Sequence, residues 1–232
     1  MKSTGETQVQ DHSSEYYDKR YSGKGFDYHF SIICEMVRDC YGLDLKILDV
    51  GCGTGILNRV YPNLDIMGID ISDGMLKRNP YKWMKASADD IPFRDGYFDM
   101  VFCRSVLHHL PNPQLALSEM KRVLKPGGSF VCWETNKSWI ASLVRKLTHH
   151  GDRFSDYHTE FKDLPTLVRD YFSVSQVKYG GFFAYGLYGF PDIVNFPRFI
   201  DRLYPKFHAL DELLSRSFLK KLGFWVMIKG VK

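Results

Sequence analysis

Long hydrophobic runs are missing from this sequence of 232 residues. No apolar stretch reaches about 18 residues, so no bilayer-spanning helix is expected. The first residues are polar and carry no apolar h-region, so no secretory signal peptide is expected. Cysteine is scarce and odd in number. The five, at 34, 40, 52, 103 and 132, have neither the density of a disulfide scaffold nor the paired spacing of a zinc site. All are expected to be reduced, in a cytoplasmic protein. A strong charge of either sign is also lacking, the formal net charge being +4. The basic surplus lies at one end: residues 195–232 hold 8 Lys/Arg against 3 Asp/Glu, and residues 1–194 are net −1. A nucleic-acid groove needs a more widely spread basic surface. The local excess suits an anionic substrate or surface instead.

Apolar residues are plentiful, at 44 per cent, enough for one large α/β domain with insertions or one domain plus a small cap. The organising stretch is Leu48-Asp49-Val50-Gly51-Cys52-Gly53-Thr54-Gly55. The apolar run Leu45 to Val50 predicts a buried parallel strand, and a helix is predicted from about Ile56. Glycines at 51, 53 and 55 let the chain turn and let a ligand approach the backbone, with helix N–H groups facing that ligand. A dinucleotide fingerprint would need glycine at position 56, which is Ile, and a phosphate-binding loop would need Lys-Ser or Lys-Thr after the turn. Asp49, two residues before the first glycine, directs a carboxylate to the same place. It suits a ligand with a positive charge and disfavours a pyrophosphate.

Further along, Phe30 to Tyr41 has helical spacing, with Phe30, Ile33, Cys34, Val37 and Tyr41 as its apolar stripe. Asn63 to Asp70 predicts a second strand ending in an acid that can accept hydrogen bonds from ribose hydroxyls or cap a helix. A third strand is expected near Trp83–Lys85, a fourth over Phe98 to Cys103 and a fifth over Ser129 to Glu134. Asn112 and Pro113 open the helix that ends at Lys125-Pro126-Gly127-Gly128. Phe172 to Val177 and Phe224 to Lys229 supply a sixth and a seventh strand.

The order D-x-G-x-G-x-G resembles motif I of the class I S-adenosylmethionine-dependent methyltransferases. The run F-D-x-V-x-x-x-x-x-L-H-H-L…L-K-P-G-G, with motif I, resembles their type 11 branch over residues 45–134. The resemblance implies a doubly wound, Rossmann-like α/β fold whose seven-stranded sheet is mostly parallel. A helical and aromatic insertion, including Gly180 to Phe190, would lie between the last two strands. Residues 1–25 would form an N-terminal arm and cofactor cap, 26–136 the cofactor-binding core, and 137–232 the rest of the sheet with a substrate lid and basic tail.

It also implies S-adenosyl-L-methionine as cofactor, in a site of Asp49, Gly51, Cys52, Gly53, Asp70 on the ribose, Ile71 and Ser105. Similar Tyr-x-x-Arg-Tyr segments fold over the cofactor, which brings in Tyr21. In the stretch Ser87-Ala88-Asp89-Asp90-Ile91-Pro92-Phe93, Ser87 stands where the family has the adenine-holding Asp, so Ser87 or Asp89 takes that role, beside Ala88. His108 and His109 are candidate bases for a hydroxyl acceptor, or packing residues. His149, His150 and His158 could reach the site, but no metal is expected from their spacing.

The expected function is methyl transfer to an apolar or amphipathic small-molecule or lipid-like acceptor. The alternatives are a tRNA-modifying methyltransferase and a non-catalytic adaptor with the same fold. Residues 195–222 interleave apolar and basic residues, which fits peripheral membrane contact as well as a packed lid.

Overall fold

The computed structural model describes residues 21, 23–38, 44–140, 161, 163–185 and 202–232. The arm before Tyr21, the histidines at 149, 150 and 158, and residues 186–201 lie outside the described residues.

The first element is helix α1, Gly23–Val37. It starts earlier and turns differently from the predicted stripe: Tyr28, His29, Ile32, Ile33, Met36 and Val37 face inward, and Phe30 is 42% exposed. The polar His29 belongs to the inner face because it meets an arginine there, a contact that apolar periodicity does not register. Strand β1 (Lys46–Val50) leads through the glycine turn into the short helix α2 (Ile56–Val60). Strand β2 (Asp65–Asp70), helix α3 (Asp73–Leu76) and strand β3 (Trp83–Lys85) complete the first half.

The second half begins with β4 (Phe98–Arg104), the 3-10 turn Leu107–His109 and helix α4 (Pro113–Val123). Asn112 holds the cap position of α4, but its side chain makes no capping bond. Strand β5 (Leu124–Thr135) starts earlier than predicted, because Leu124 already pairs with Phe98 across a register shift. Helix α5 (Leu164–Arg169), strand β6 (Ser173–Gly180), helix α6 (Tyr204–Ser215) and strand β7 (Trp225–Val231) follow.

The seven strands form one sheet in the order β3-β2-β1-β4-β5-β7-β6. Strands β1 to β5 run parallel, and β7 enters antiparallel between β5 and β6. The order reverses between β1 and β4, the switch point outside which an open α/β sheet binds ligands. Side chains alternate across the sheet as period two demands. On β4, Val101 and Cys103 pack with Ala116, Leu117 and Met120 of α4. Met100 and Phe102 pack on the other face with Ile33 and Met36 of α1. The sheet is thus buried on both sides, and its polar side chains concentrate at the carboxyl ends of the central strands.

Candidate active site

The glycine turn is shaped by two close approaches. Gly51 has φ 70, and a Cβ there would lie 2.1 Å from Val106 Cγ2. Gly55 has φ 82 and sits against Asn79. Gly53 also has a positive φ, but among the described residues nothing lies within 4 Å of its would-be Cβ. That leaves open space where a ligand can meet the backbone. The turn is tied to β2: Gly51 N and Cys52 N donate to Ile69 O (2.8 and 3.0 Å), and Gly53 N donates to Asp70 Oδ2 (2.9 Å). These amides therefore serve the fold and not a ligand, and α2, at five residues, carries little dipole. Buried Asn79, absent from the sequence-based site, supports the turn from below through Nδ2 to Gly53 O at 3.0 Å.

Asp70 also accepts from Ser72 N at 2.9 Å, and Ser72, not Asp70, caps α3. Asp49 is 2% exposed, and its Oδ2 has no hydrogen-bond partner among the described residues. Burial raises its carboxyl from the ordinary 3.8 to about 7, against the pull of Arg104 and with the push of Asp70. Cys52 is buried with its sulfur toward Gly68, where a Cβ would lie 2.6 Å away. Burial and the two aspartates push its thiol well up, so it stays protonated.

Tyr21, Asp49, Asp70, Ile71, Ser87 and Ser105 share one cleft over the ends of β1, β2 and β4, with Gly51, Cys52, Gly53, Ala88 and His109 also in its wall. Asp89 is exposed outside that wall, where Ser87 Oγ hydrogen-bonds its carboxylate. His108 is buried behind the wall, with Nδ1 2.5 Å from Glu134 Oε2. The His108 and His109 rings lie 4.0 Å apart. Glu134, missed in the sequence, is fully buried; its Oε1 accepts from Val106 N and Leu107 N, both at 2.8 Å. Those bonds hold the turn after Ser105, whose φ of 55 is unusual for a side-chain-bearing residue. Arg104, also missed, lies in the cleft with Nη1 donating to Tyr21 OH (3.0 Å) and Nη2 2.8 Å from His29 Nδ1. A run of polar residues at a strand end was the available signal.

Residues 48–132 match the family described as the methyltransferase domain, type 11. An uncharacterised protein of Methanocaldococcus jannaschii is 30% identical over 196 residues, 82% of this chain and 79% of that protein. The chain is a class I S-adenosylmethionine-dependent methyltransferase of the type 11 branch. Over 107 residues the methyltransferase is also 40% identical to the demethylmenaquinone methyltransferase of Symbiobacterium thermophilum, but that match spans 43% of the relative's length. Its fold is shared with an S-adenosylmethionine-dependent methyltransferase of Thermotoga maritima, at a TM-score of 0.66 and 17% identity over 97% of this chain and 98% of that one. Phosphoethanolamine N-methyltransferase 2 of Haemonchus contortus, solved with S-adenosyl-L-methionine, has a TM-score of 0.64 at 14% identity, over 96% of this chain and 57% of that one. The methyltransferase's residues fit this cofactor: an unpartnered buried carboxylate at Asp49 suits its ammonium group, and the open side of Gly53 suits close contact.

Proposed function

We propose that this enzyme methylates an apolar or amphipathic small-molecule or lipid-like acceptor in the cytoplasm. One observation carries the reading. Beyond the residues that suit the cofactor, the same cleft is walled by Phe102, Val106, Leu110, Trp133 and Tyr185. Aromatic and aliphatic walls with a few polar groups are the composition of a small-molecule site. Relatives named as demethylmenaquinone methyltransferases support it, and residues 26–136 contain the portion matched by the family.

When bound, S-adenosylmethionine supplies a sulfonium methyl group, which a nucleophile's lone pair takes as the carbon–sulfur electron pair stays on sulfur. The chain's own work is to hold and to dry. Asp49 would hold the ammonium, Asp70 the ribose, and Ser87 with Ala88 the adenine edge, with Ile71 and Met75 as apolar wall. His109, in the wall, takes the proton of a hydroxyl acceptor. His108, fixed on Glu134, positions the turn that carries both. Positioning in a water-poor cleft supplies most of the rate enhancement such a transfer needs.

Peripheral membrane contact belongs to the same proposal. Leu213 is 67% and Phe218 92% exposed, beside exposed Arg216, Lys220 and Lys221. Among the described residues no helix is long and apolar enough to cross a membrane. Incubation with labelled S-adenosylmethionine and fractionated cell extract tests the acceptor class. Label in an organic-soluble fraction is expected; nuclease-sensitive label would overturn the reading in favour of tRNA.

A further inference from the structure

The cleft contains three buried polar atoms without partners among the described residues, and they are sorted along the sheet. On β1 the orphan is an acceptor, Asp49 Oδ2; on β4 and β5 the orphans are donors, Arg104 Nε and Trp133 Nε1. Arg104 and Trp133 are Cα partners in the β4–β5 register, and the guanidinium carbon lies 5.2 Å from the Trp133 ring centroid. Buried polar atoms without partners are rare and ask for an explanation.

Arg104 brings charge to the donor side. Its hydrogen-bond partners are the Tyr21 phenol and His29 Nδ1. A guanidinium has no lone pair to offer, so His29 Nδ1 is the acceptor and that imidazole is neutral with its proton on Nε2. Neither partner is an anion, and among the described residues Arg104 forms no ion pair. Its influence on Asp49 acts at a distance, since Asp49 Oδ2 has no hydrogen-bond donor. Arg104 is itself only half-buried, but its Nε and the Trp133 indole N–H are buried, and a buried donor without an acceptor is costly until one arrives. The cofactor's ammonium would pair with Asp49 and its own carboxylate would compete for the guanidinium, which leaves the buried Arg104 Nε and Trp133 Nε1 as donors for an acceptor oxygen.

We infer that Arg104, with the Trp133 indole N–H, selects an acceptor bearing an acidic oxygen, a carboxylate or an ionised phenol or enol, and rejects amines. The inference rests on the proposed apolar-acceptor reading and sharpens it to aromatic or amphipathic acids. An acceptor that arrives as an anion needs no proton removed before transfer, and its charge cancels that of the sulfonium in the product. Arg104 is thus a specificity-determining residue.

The test is calorimetric binding of three probes of one shape, 4-butylbenzoate, 4-butylbenzamide and 4-butylbenzylamine, to the full chain loaded with S-adenosylhomocysteine. The benzoate should bind about tenfold more tightly than the amide, and the amine weakest. Arg104→Gln should bring the benzoate down to the amide's affinity, leaving the amide and S-adenosylhomocysteine within about twofold. Arg104→Lys, which keeps the charge, should keep the order. Should Arg104→Gln fail to fold, the wild-type order and Arg104→Lys decide. A benzoate no tighter than the amide, or an amine that binds best, overturns the inference while leaving the apolar reading intact. Absence of binding by the amide defeats the apolar reading itself, and tighter benzoate binding in that case still supports Arg104. Loss of S-adenosylhomocysteine affinity in Arg104→Gln, with the benzoate unchanged, shows that the guanidinium serves the cofactor's carboxylate and also overturns the inference.

Discussion

The stretch from β1 to β5 and the stretch from α5 to β7 build one sheet by different means. In the first, apolar side chains fill both faces and polar ones collect at strand ends, so Asp49, Asp70 and Arg104 arrive together at the cleft. In the second, helix α6 is turned the other way round. Asp211 and Ser215 are buried, while Leu210 is 39% and Leu213 67% exposed. The cause is a debt of backbone amides: Asp211 accepts from Phe183 N (2.8 Å) and Ala184 N (3.1 Å), where the chain leaves β6 without a ladder partner. Lys178 reinforces this orientation by pairing with Glu212 of α6 and Glu35 of α1, at 2.9 and 2.8 Å. Hydrophobic burial orders the first region and β7 of the second, whereas satisfaction of orphan donors orients α6.

The largest expected effect belongs to the first region. Gly51→Ala should cost roughly 3 kcal/mol, the strain of a positive φ added to overpacking against Val106. Chemical denaturation measures it, and a loss below about 1 kcal/mol would mean that the turn relaxes and that the first region is as adaptable as the second. Next comes Asp211→Ala, which leaves two buried amides unpaired and should cost about 2 kcal/mol by the same measurement. An unchanged midpoint would show that water replaces the carboxylate and that α6 is oriented by something else.

Asp49→Asn should do the opposite of a usual core-polar substitution. The folded carboxyl, at about 7, lies above its ordinary 3.8, so the stability it contributes is fully present below about pH 4 and lost as pH rises through about 7. The ligand-free Asn variant should therefore be more stable than the parent at pH 8, by about 1 kcal/mol or more. The parent's affinity for S-adenosylhomocysteine should fall roughly tenfold per pH unit below 7, because the ammonium needs ionised Asp49. The Asn variant should bind weakly with no such slope. A parent whose affinity is flat from pH 5.5 to 7.5 would remove Asp49 from the ammonium site.

The smallest effect on stability is expected from the double change Leu213→Ser and Phe218→Ser, below about 0.5 kcal/mol, because both side chains already face solvent. Its effect should appear elsewhere. Co-sedimentation with phosphatidylglycerol vesicles at low salt should be lost, with phosphatidylcholine vesicles as the control. A parent protein that stays in the supernatant with phosphatidylglycerol leaves the exposed leucine and phenylalanine without a membrane role.

Most of the sheet was legible because its signals are local. Strands β1, β2 and β4 show as apolar runs, and the turn after β1 shows as glycines whose positive φ no other residue adopts cheaply. Asp49 and Asp70 were legible for the same reason, since a carboxylate at a strand end next to that turn has few other places to go. The helix predicted over Phe30 to Tyr41 keeps Ile33 and Val37 inward but starts at Gly23, and its inner face includes His29, which meets Arg104, Tyr21 and Tyr28; Tyr41 lies outside the described residues. Asp89 looked equivalent to Ser87 in the sequence, two residues being indistinguishable by spacing. The bridge between Ser87 and Asp90 leaves Ser87 in the cleft wall and Asp89 exposed.

What the sequence determined by itself is the family, the cofactor and the parallel half of the sheet, because glycine conformations, strand periodicity and motif order are properties of neighbouring residues. Tertiary structure alone decided which polar side chains are paired and which are not. It placed His108 on Glu134 and left His109 in the wall, turned Asp211 inward and Leu213 outward, and set Arg104 beside Tyr21 and His29. The physical reason is that a buried donor or acceptor is satisfied by whatever the fold brings within about 3 Å, and that partner is usually distant in sequence.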